Sequence, residues 1–139
     1  MALRPERYEE RLVMALVRAR QHRAEWCLGR GEFAEAVPLL ESVLALDPEA
    51  AEEPRFLFSL ATACHVIGKD DRAVTLLKQL LARPSDPMMR AGSLACLGEI
   101  ARDRGATVES GYYFRGALEV PGLTPSQREM IERGIHGRR

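Results

Sequence analysis

Apolar and small side chains return every three or four residues through most of this chain, which is the spacing of amphipathic α-helices. Glycines and prolines interrupt the pattern and divide it into seven predicted helices. No alternating strand pattern and no Asn-Gly hairpin turn is present, so we expect an all-α fold. The predicted helices cover residues 5–29, 33–46, 54–67, 70–83, 87–103 and 108–119, and a last one lies within 124–136.

Several predicted helix ends carry capping residues. Asp86 and Pro87 are expected to be the N-cap and the first residue of the fifth helix, and Thr107 is expected to be the N-cap of the sixth. The residues from Thr124 to Gln127 have the spacing of a capping box. The sequence therefore predicts that the last helix begins directly after Thr124.

Three glycines mark an internal repeat. Gly31, Gly68 and Gly105 follow one another at an interval of 37 residues, and each lies between two predicted helices. A constant interval of this length is typical of stacked helix pairs, in which each pair buries its apolar face against its neighbours. The agreement extends to a small residue seven positions before each glycine and a large apolar residue nine positions after it: Ala24, Ala61 and Gly98, then Leu40, Leu77 and Phe114.

The repeated positions resemble the tetratricopeptide repeat, a helix pair with a W-x2-L-G-x2-Y pattern, then Gly, A-x3-F and a terminal proline. The resemblance implies one domain over residues 1–139, built as a right-handed superhelical stack of antiparallel helix pairs, an α-solenoid. It divides the domain into an N-terminal extension over 1–16, repeats at 17–50, 54–86 and 91–122, and a capping helix over 124–136. The matching residues are Ala24, Gly31, Phe33, Ala36, Leu40, Asp47 and Pro48; Leu57, Leu60, Ala61, Gly68, Ala73, Leu77 and Leu80; and Leu94, Leu97, Gly98, Gly105, Phe114 and Ala117.

The chain also departs from the family pattern. Arg20 and Arg23 stand where the first repeat should have two large apolar residues, and Pro38 lies inside the second helix, which we expect it to bend. The interval of 37 residues exceeds the family's usual 34. We expect the additional residues to lie at 48–54 and 84–87.

In proteins that this chain resembles, the first helices of successive repeats line a concave groove that binds a segment of another protein. The resemblance implies a non-enzymatic interaction module, an adaptor, scaffold or dedicated chaperone, with Phe58 as an apolar anchor. The alternative is that these positions are ordinary surface, or that Phe58 packs against the long N-terminal helix. The side chains implied to line the groove are Gln21, Glu25, Arg55, Phe58, Thr62, His65, Glu99 and Arg102.

Charge is balanced over the chain but unevenly distributed. Residues 31–53 contain seven acidic residues and no basic one, although the formal net charge of the chain is zero. This segment is either a solvated face or a landing site for a basic partner segment. Of the 20 basic residues 18 are arginines, so RNA binding is an alternative, but the arginines are scattered and we expect no nucleic-acid partner.

Motifs of catalysis and cofactor binding are absent from the sequence. It contains no phosphate-binding loop, no dinucleotide fingerprint and no metalloprotease or hydrolase motif. The three cysteines have no Cys-x-x-Cys spacing and are expected to be buried apolar residues, which excludes a disulfide framework. We therefore predict no enzyme activity, no catalytic residue, no metal and no cofactor.

The sequence gives only indirect signals for localisation and for assembly. No apolar run reaches the length of a secretory or membrane-spanning segment, so a cytoplasmic protein with no membrane partner is expected. A self-assembling structural subunit is the alternative to an adaptor, which leaves a homo-oligomer open. Arg20 and Arg23 would then mark an atypical end of the stack, and Met88 and Met89, if exposed, would form an adaptable contact.

Overall fold

A computed structural model describes residues 5–136, with side chains from residue 7 onwards. Residues 1–4 of the predicted N-terminal extension lie outside the described residues. Within residues 5–136 there are seven α-helices, one 3-10 helix and no strand, which confirms the prediction of an all-α fold. The α-helices are α1 (Pro5–Gly29), α2 (Phe33–Leu46), α3 (Pro54–Val66), α4 (Asp70–Leu81), α5 (Pro87–Asp103), α6 (Thr107–Leu118) and α7 (Pro125–His136), and the 3-10 helix is Pro48–Glu52.

The helices form two compact units, and unit 1 ends at Glu53. Inside it α1 packs against α2, and the 3-10 helix follows α2 and packs against it. Arg20 is half-buried and donates a hydrogen bond to the Ser42 hydroxyl of α2, so a polar link replaces the apolar contact that the family pattern led us to expect. The buried side chains of the unit are Val17, Ala24, Cys27, Ala36, Val37, Leu40, Val43 and Ala50.

Unit 2 begins at Pro54 and contains two helix pairs and a closing helix. Helix α3 packs against α4 and α5 against α6; α5 also contacts α3, α4 and α7, and α7 contacts α6. Ile131 of α7 joins Ala91, Ala117 and Val120 in a buried cluster. Met88 packs against this cluster and is half-buried, so it does not form the exposed contact considered for self-assembly.

One local turn explains the glycine repeat. Gly31, Gly68 and Gly105 have φ values of +75°, +85° and +78°, in the left-handed region that favours glycine. In the first of these turns Glu32 N donates to Cys27 O at 2.8 Å and Gly31 N donates to Leu28 O at 3.1 Å, the bond pair of a Schellman motif. The same two bonds recur around the other two glycines, so each helix pair is joined by the same turn.

The expected helix caps are confirmed at two of three places. Met89 N donates to Asp86 Oδ1 at 2.9 Å, and Thr124 and Gln127 exchange both bonds of a capping box, at 3.0 and 3.1 Å. The assignment of Thr107 as an N-cap was wrong: Thr107 is the first residue of α6, and Ala106 precedes it without a side-chain cap. The turn at Gly105 starts α6 one residue earlier, because Ala106 O already accepts from Ser110 N.

The residues that lengthen the repeat lie outside the α-helices. The 3-10 helix Pro48–Glu52 occupies the first of the two expected places, and residues 82–86 form a non-helical connection at the second. Helix α2 continues through Pro38 to Leu46. None of the described helices combines the length and the apolarity needed to cross a membrane.

Candidate functional site

The first helices of successive pairs contact each other within unit 2. The His65 Nε2 atom of α3 lies 3.7 Å from Glu99 Oε2 of α5, and Arg102 of α5 donates to the backbone oxygen of Ile135 in α7 at 2.9 Å. These two links place α5 between α3 and α7. Two of the predicted groove residues, His65 and Glu99, therefore lie next to each other across α3 and α5.

His65 lies between two carboxylates. Its Nδ1 atom is 2.9 Å from Asp70 Oδ1 of α4, while Nε2 faces Glu99, and only 10% of the side chain is exposed. With one carboxylate at each ring nitrogen, the orientation of the imidazole is fixed. His65 thus joins α3, α4 and α5, and its capacity to bind another molecule is largely used inside the unit.

Arg102 is also engaged within the unit. In addition to its bond to Ile135, its guanidinium carbon lies 5.3 Å from the centre of the Phe114 ring of α6, within the range of a cation–π contact. The side chain is half-buried. Arg102 therefore connects α5, α6 and α7, and it contributes to a partner site only through the N–H groups that these contacts leave open.

Phe58 and Thr62 lie on α3 and face different partners. A Cβ atom at Gly92 of α5 would be 3.3 Å from Phe58 Cζ, so the half-buried Phe58 ring packs against α5 at a position without a side chain. The Thr62 hydroxyl donates to the backbone oxygens of Phe58 and Ser59, at 2.9 and 3.1 Å. Phe58 keeps a partly exposed apolar surface, whereas the Thr62 donor is used by its own helix.

The three remaining predicted groove residues make fewer contacts inside their units. Arg55 is exposed in the first turn of α3. Gln21 is half-buried and Glu25 is exposed, both on α1 of unit 1. Arg55 and Phe58 are therefore the predicted residues of unit 2 that have most surface left for a partner.

Unit 1 contains a cluster that the sequence analysis missed. The Cys27 thiol donates to Glu35 Oε2 at 3.8 Å, and Cys27, Glu32 and Glu35 each place one ligand atom within 4.8 Å of the others. Burial, followed by the charges of Glu35 and Glu32, raises the pKa of the Cys27 thiol. The thiol is a buried hydrogen-bond donor, and Cys27, Cys64 and Cys96 are all buried, as the sequence predicted. The turn at Gly31 is the signal that could have predicted the cluster, since it returns the start of α2 to the end of α1.

A second group of residues was also missed, on the outer face of α6. Val108 and Tyr112 are 88% and 68% exposed, and beside them Arg90 and Arg115 line a pocket between α5 and α6. The sequence signal was available, because Val108, Tyr112, Arg115 and Glu119 have the spacing of one helical face. These residues lie on the second helix of a pair, whereas the family resemblance implied binding residues on the first helices.

Comparison with known proteins identifies the repeat. A family model described as tetratricopeptide repeat matches residues 28–92, from the end of α1 to the first turns of α5. The matched segment belongs to the tetratricopeptide repeat family. This confirms the resemblance found in the sequence, and tetratricopeptide repeats generally mediate interactions between proteins. No curated protein matches the chain.

Proposed function

We propose that this protein is a non-enzymatic interaction module, an adaptor, scaffold or dedicated chaperone of the cytoplasm, that binds a peptide or helix of a partner protein along α3 and α5. The contact between His65 and Glu99 carries the proposal, because it brings the groove positions of two successive helix pairs together. The membership of residues 28–92 in an interaction family supports it.

The third helix pair is included in this proposal. Helices α5 and α6 are joined by the same turn as the two preceding pairs, and α7 covers the buried cluster that they share. We propose that the repeats are 17–50, 54–86 and 91–122, and that α7 is the capping helix that closes a repeat stack.

The partner segment is expected to use an apolar side chain and an acidic one. The accessible part of the Phe58 ring offers apolar contact, and Arg55 lies three residues earlier, on the same side of α3. Apolar anchors supply most of the binding energy in such interfaces, while charges at the rim set orientation and association rate. In unit 2 the bonded residues Thr62, His65, Glu99 and Arg102 complete the proposed surface, and Gln21 and Glu25 are the proposed partner-binding residues of α1 in unit 1.

A pull-down from the native cell extract with identification by mass spectrometry tests this function. The immobilised wild type is compared with Phe58→Ala combined with Arg55→Glu, and with Arg128→Gln, an exposed arginine of α7, as the matched control. Both variants should keep the helical circular dichroism spectrum. We expect a set of proteins to be retained by the wild type and the control but lost from the double variant; an unchanged set would place the contact elsewhere.

Self-assembly is a second candidate, favoured by the apolar surface of α1. Tyr8 and Leu12 are each 56% exposed, and Leu16 is 42% exposed, four residues further along the helix. A second copy of the chain could cover this stripe. Light scattering over a hundredfold concentration range should then show a dimer that Leu12→Glu combined with Leu16→Glu converts to a monomer; a wild type that stays monomeric at every concentration removes this candidate.

A further inference from the structure

The outer face of α6 presents an apolar end and a polar end. Val108 and Tyr112 are four residues apart near the start of the helix, and both are largely exposed. The Tyr112 ring makes an edge-to-face contact with Tyr113, with 5.7 Å between ring centres, and its hydroxyl has no hydrogen-bond partner among the described residues. Arg115 and Glu119 continue the same face toward the end of α6.

A pocket lies beside the polar end, between α5 and α6. Its volume is about 520 Å³, which falls within the range of about 300 to 1,000 Å³ found for ligand sites. Leu94 and Val120 give it an apolar side, and Tyr112 belongs to both the pocket and the apolar end of the face. Arg90, Arg115 and Glu119 supply its charged groups.

The two arginines of the pocket are available to an anion. Arg90 donates to the backbone oxygen of Leu81 and Arg115 to that of Gly111, both at 3.3 Å. A guanidinium has five N–H donors, so most of the donors of both side chains remain open. Neither arginine forms an ion pair with any residue of the described chain. The two arginines and Glu119 together give the pocket one net positive charge.

We propose that this face of α6 binds a peptide segment of a partner protein that carries an apolar side chain and an acidic side chain three residues apart. Val108 and Arg115 are separated by seven residues, which is about 10 Å along a helix axis. Three steps of a peptide in the polyproline II conformation span about 9 Å, and because this helix has three residues per turn, side chains three residues apart point to the same side. The carboxylate then meets Arg90 and Arg115 while the apolar side chain rests on Val108 and Tyr112.

The surroundings favour a peptide over a simple anion or a nucleic acid. A free phosphate ion would leave the Val108 and Tyr112 surface uncovered. RNA binding depends on a row of cations along the backbone, and this face holds two cations and one anion. The proposal concerns α5 and α6 alone and does not depend on the groove along α3.

A designed peptide serves as the probe. It is fluorescein-labelled and C-terminally amidated, with phenylalanine and glutamate three residues apart in a glycine and serine background, and its binding is followed by fluorescence anisotropy. We expect the wild type to bind it, with affinity that decreases as salt rises. Arg90→Gln combined with Arg115→Gln should weaken binding about tenfold or more, because charge-assisted hydrogen bonds are lost. Val108→Ser combined with Tyr112→Ser should weaken it about fivefold or more.

Matched controls separate the possible outcomes. Arg128→Gln removes an exposed arginine that lines neither end of the face and should bind the probe like the wild type. All variants change exposed side chains and should keep their circular dichroism spectra. The proposal is overturned by a wild type that does not bind the probe, by equal binding of a probe with glutamine in place of glutamate, or by arginine and apolar variants that bind normally.

Two competitors test other occupants. Inorganic phosphate that displaces the probe as effectively as free unlabelled peptide would show a simple anion site. A single-stranded RNA oligomer that binds more tightly than the probe, and is released by the double arginine variant, would show a nucleic-acid site. Either result overturns the peptide proposal.

Discussion

The same type of glycine turn joins the helix pairs of both units. The units differ in how closely the two helices of a pair match in length. In unit 2, α3 and α4 have 13 and 12 residues and α5 and α6 have 17 and 12, whereas in unit 1 the 25 residues of α1 pair with the 14 residues of α2. All described side chains from residue 7 to residue 16 are exposed. The buried residues of α1 begin at Val17.

This difference shows that an apolar residue in a helical pattern is not always a buried one. Six large apolar side chains of α1 are exposed, although apolar residues recur along the whole helix. A helical pattern predicts which face can be buried, and the length of the packing partner decides how much of that face is buried. The exposed residues are Tyr8, Leu12, Val13, Met14, Leu16 and Trp26.

The largest expected effect compares one leucine from each unit. Leu77→Ala in α4 should lower the free energy of unfolding by about 2 to 5 kcal/mol, because Leu77 is fully buried and its removal leaves a cavity. Leu12→Ala in α1 should change it by less than about 0.5 kcal/mol, since the side chain is exposed. Urea unfolding followed by circular dichroism measures both. Equal losses would show that Leu12 is covered in solution. Light scattering of the wild type would then show whether a second copy of the chain covers it.

The next effect concerns the pair Gly98 and Phe114, which differs from the equivalent pair Ala61 and Leu77. A Cβ atom at Gly98 would lie 2.6 Å from Phe114 Cε1, so Gly98→Ala should destabilise unit 2 by about 1 to 3 kcal/mol. Phe114→Leu should restore most of that loss, because the double variant has the pair used by α3 and α4.

A double-mutant cycle measured by urea unfolding tests this compensation. The combined variant should be more stable than the sum of the two single changes predicts, with a coupling of about 1 kcal/mol or more. Strictly additive losses would mean that the Phe114 ring moves aside without cost.

A smaller effect is expected at the capping box of α7. Thr124→Ala should cost about 1 kcal/mol, since it removes the acceptor of the Gln127 N–H bond. Hydrogen exchange should quicken in α7 and much less in α3 and α4. Ser126→Ala, at an exposed neighbouring position, is the control. Uniform faster exchange across unit 2 would instead show that α7 and the two pairs open together.

The sequence predicted the helices and turns better than it predicted which residues each side chain contacts. The turn at Gly68 depends on bonds within a few residues, so a constant glycine interval predicted the helix pairs and most of their ends. The repeat register also predicted that His65 and Glu99 belong to one surface. It did not predict that α7 engages Arg102 or that Phe58 packs over Gly92, because those contacts depend on which residue stands opposite in another helix.

The smallest expected effect concerns the Cys27 thiol of unit 1. Its pKa is raised in the folded protein by burial and by Glu35 and Glu32, so the unfolded chain loses the thiol proton at a lower pH than the folded chain. Above the ordinary thiol pKa of 9.0 the unfolded state therefore binds fewer protons, and the free energy of unfolding decreases as pH rises. Trp26, the single tryptophan, lies on α1 and reports unfolding of this unit by fluorescence. Between pH 8 and pH 10 the wild type should lose stability more steeply than Cys27→Ala, and Glu35→Gln should lie between them. Parallel curves for the wild type and Cys27→Ala would show that the folded thiol ionises as freely as the unfolded one.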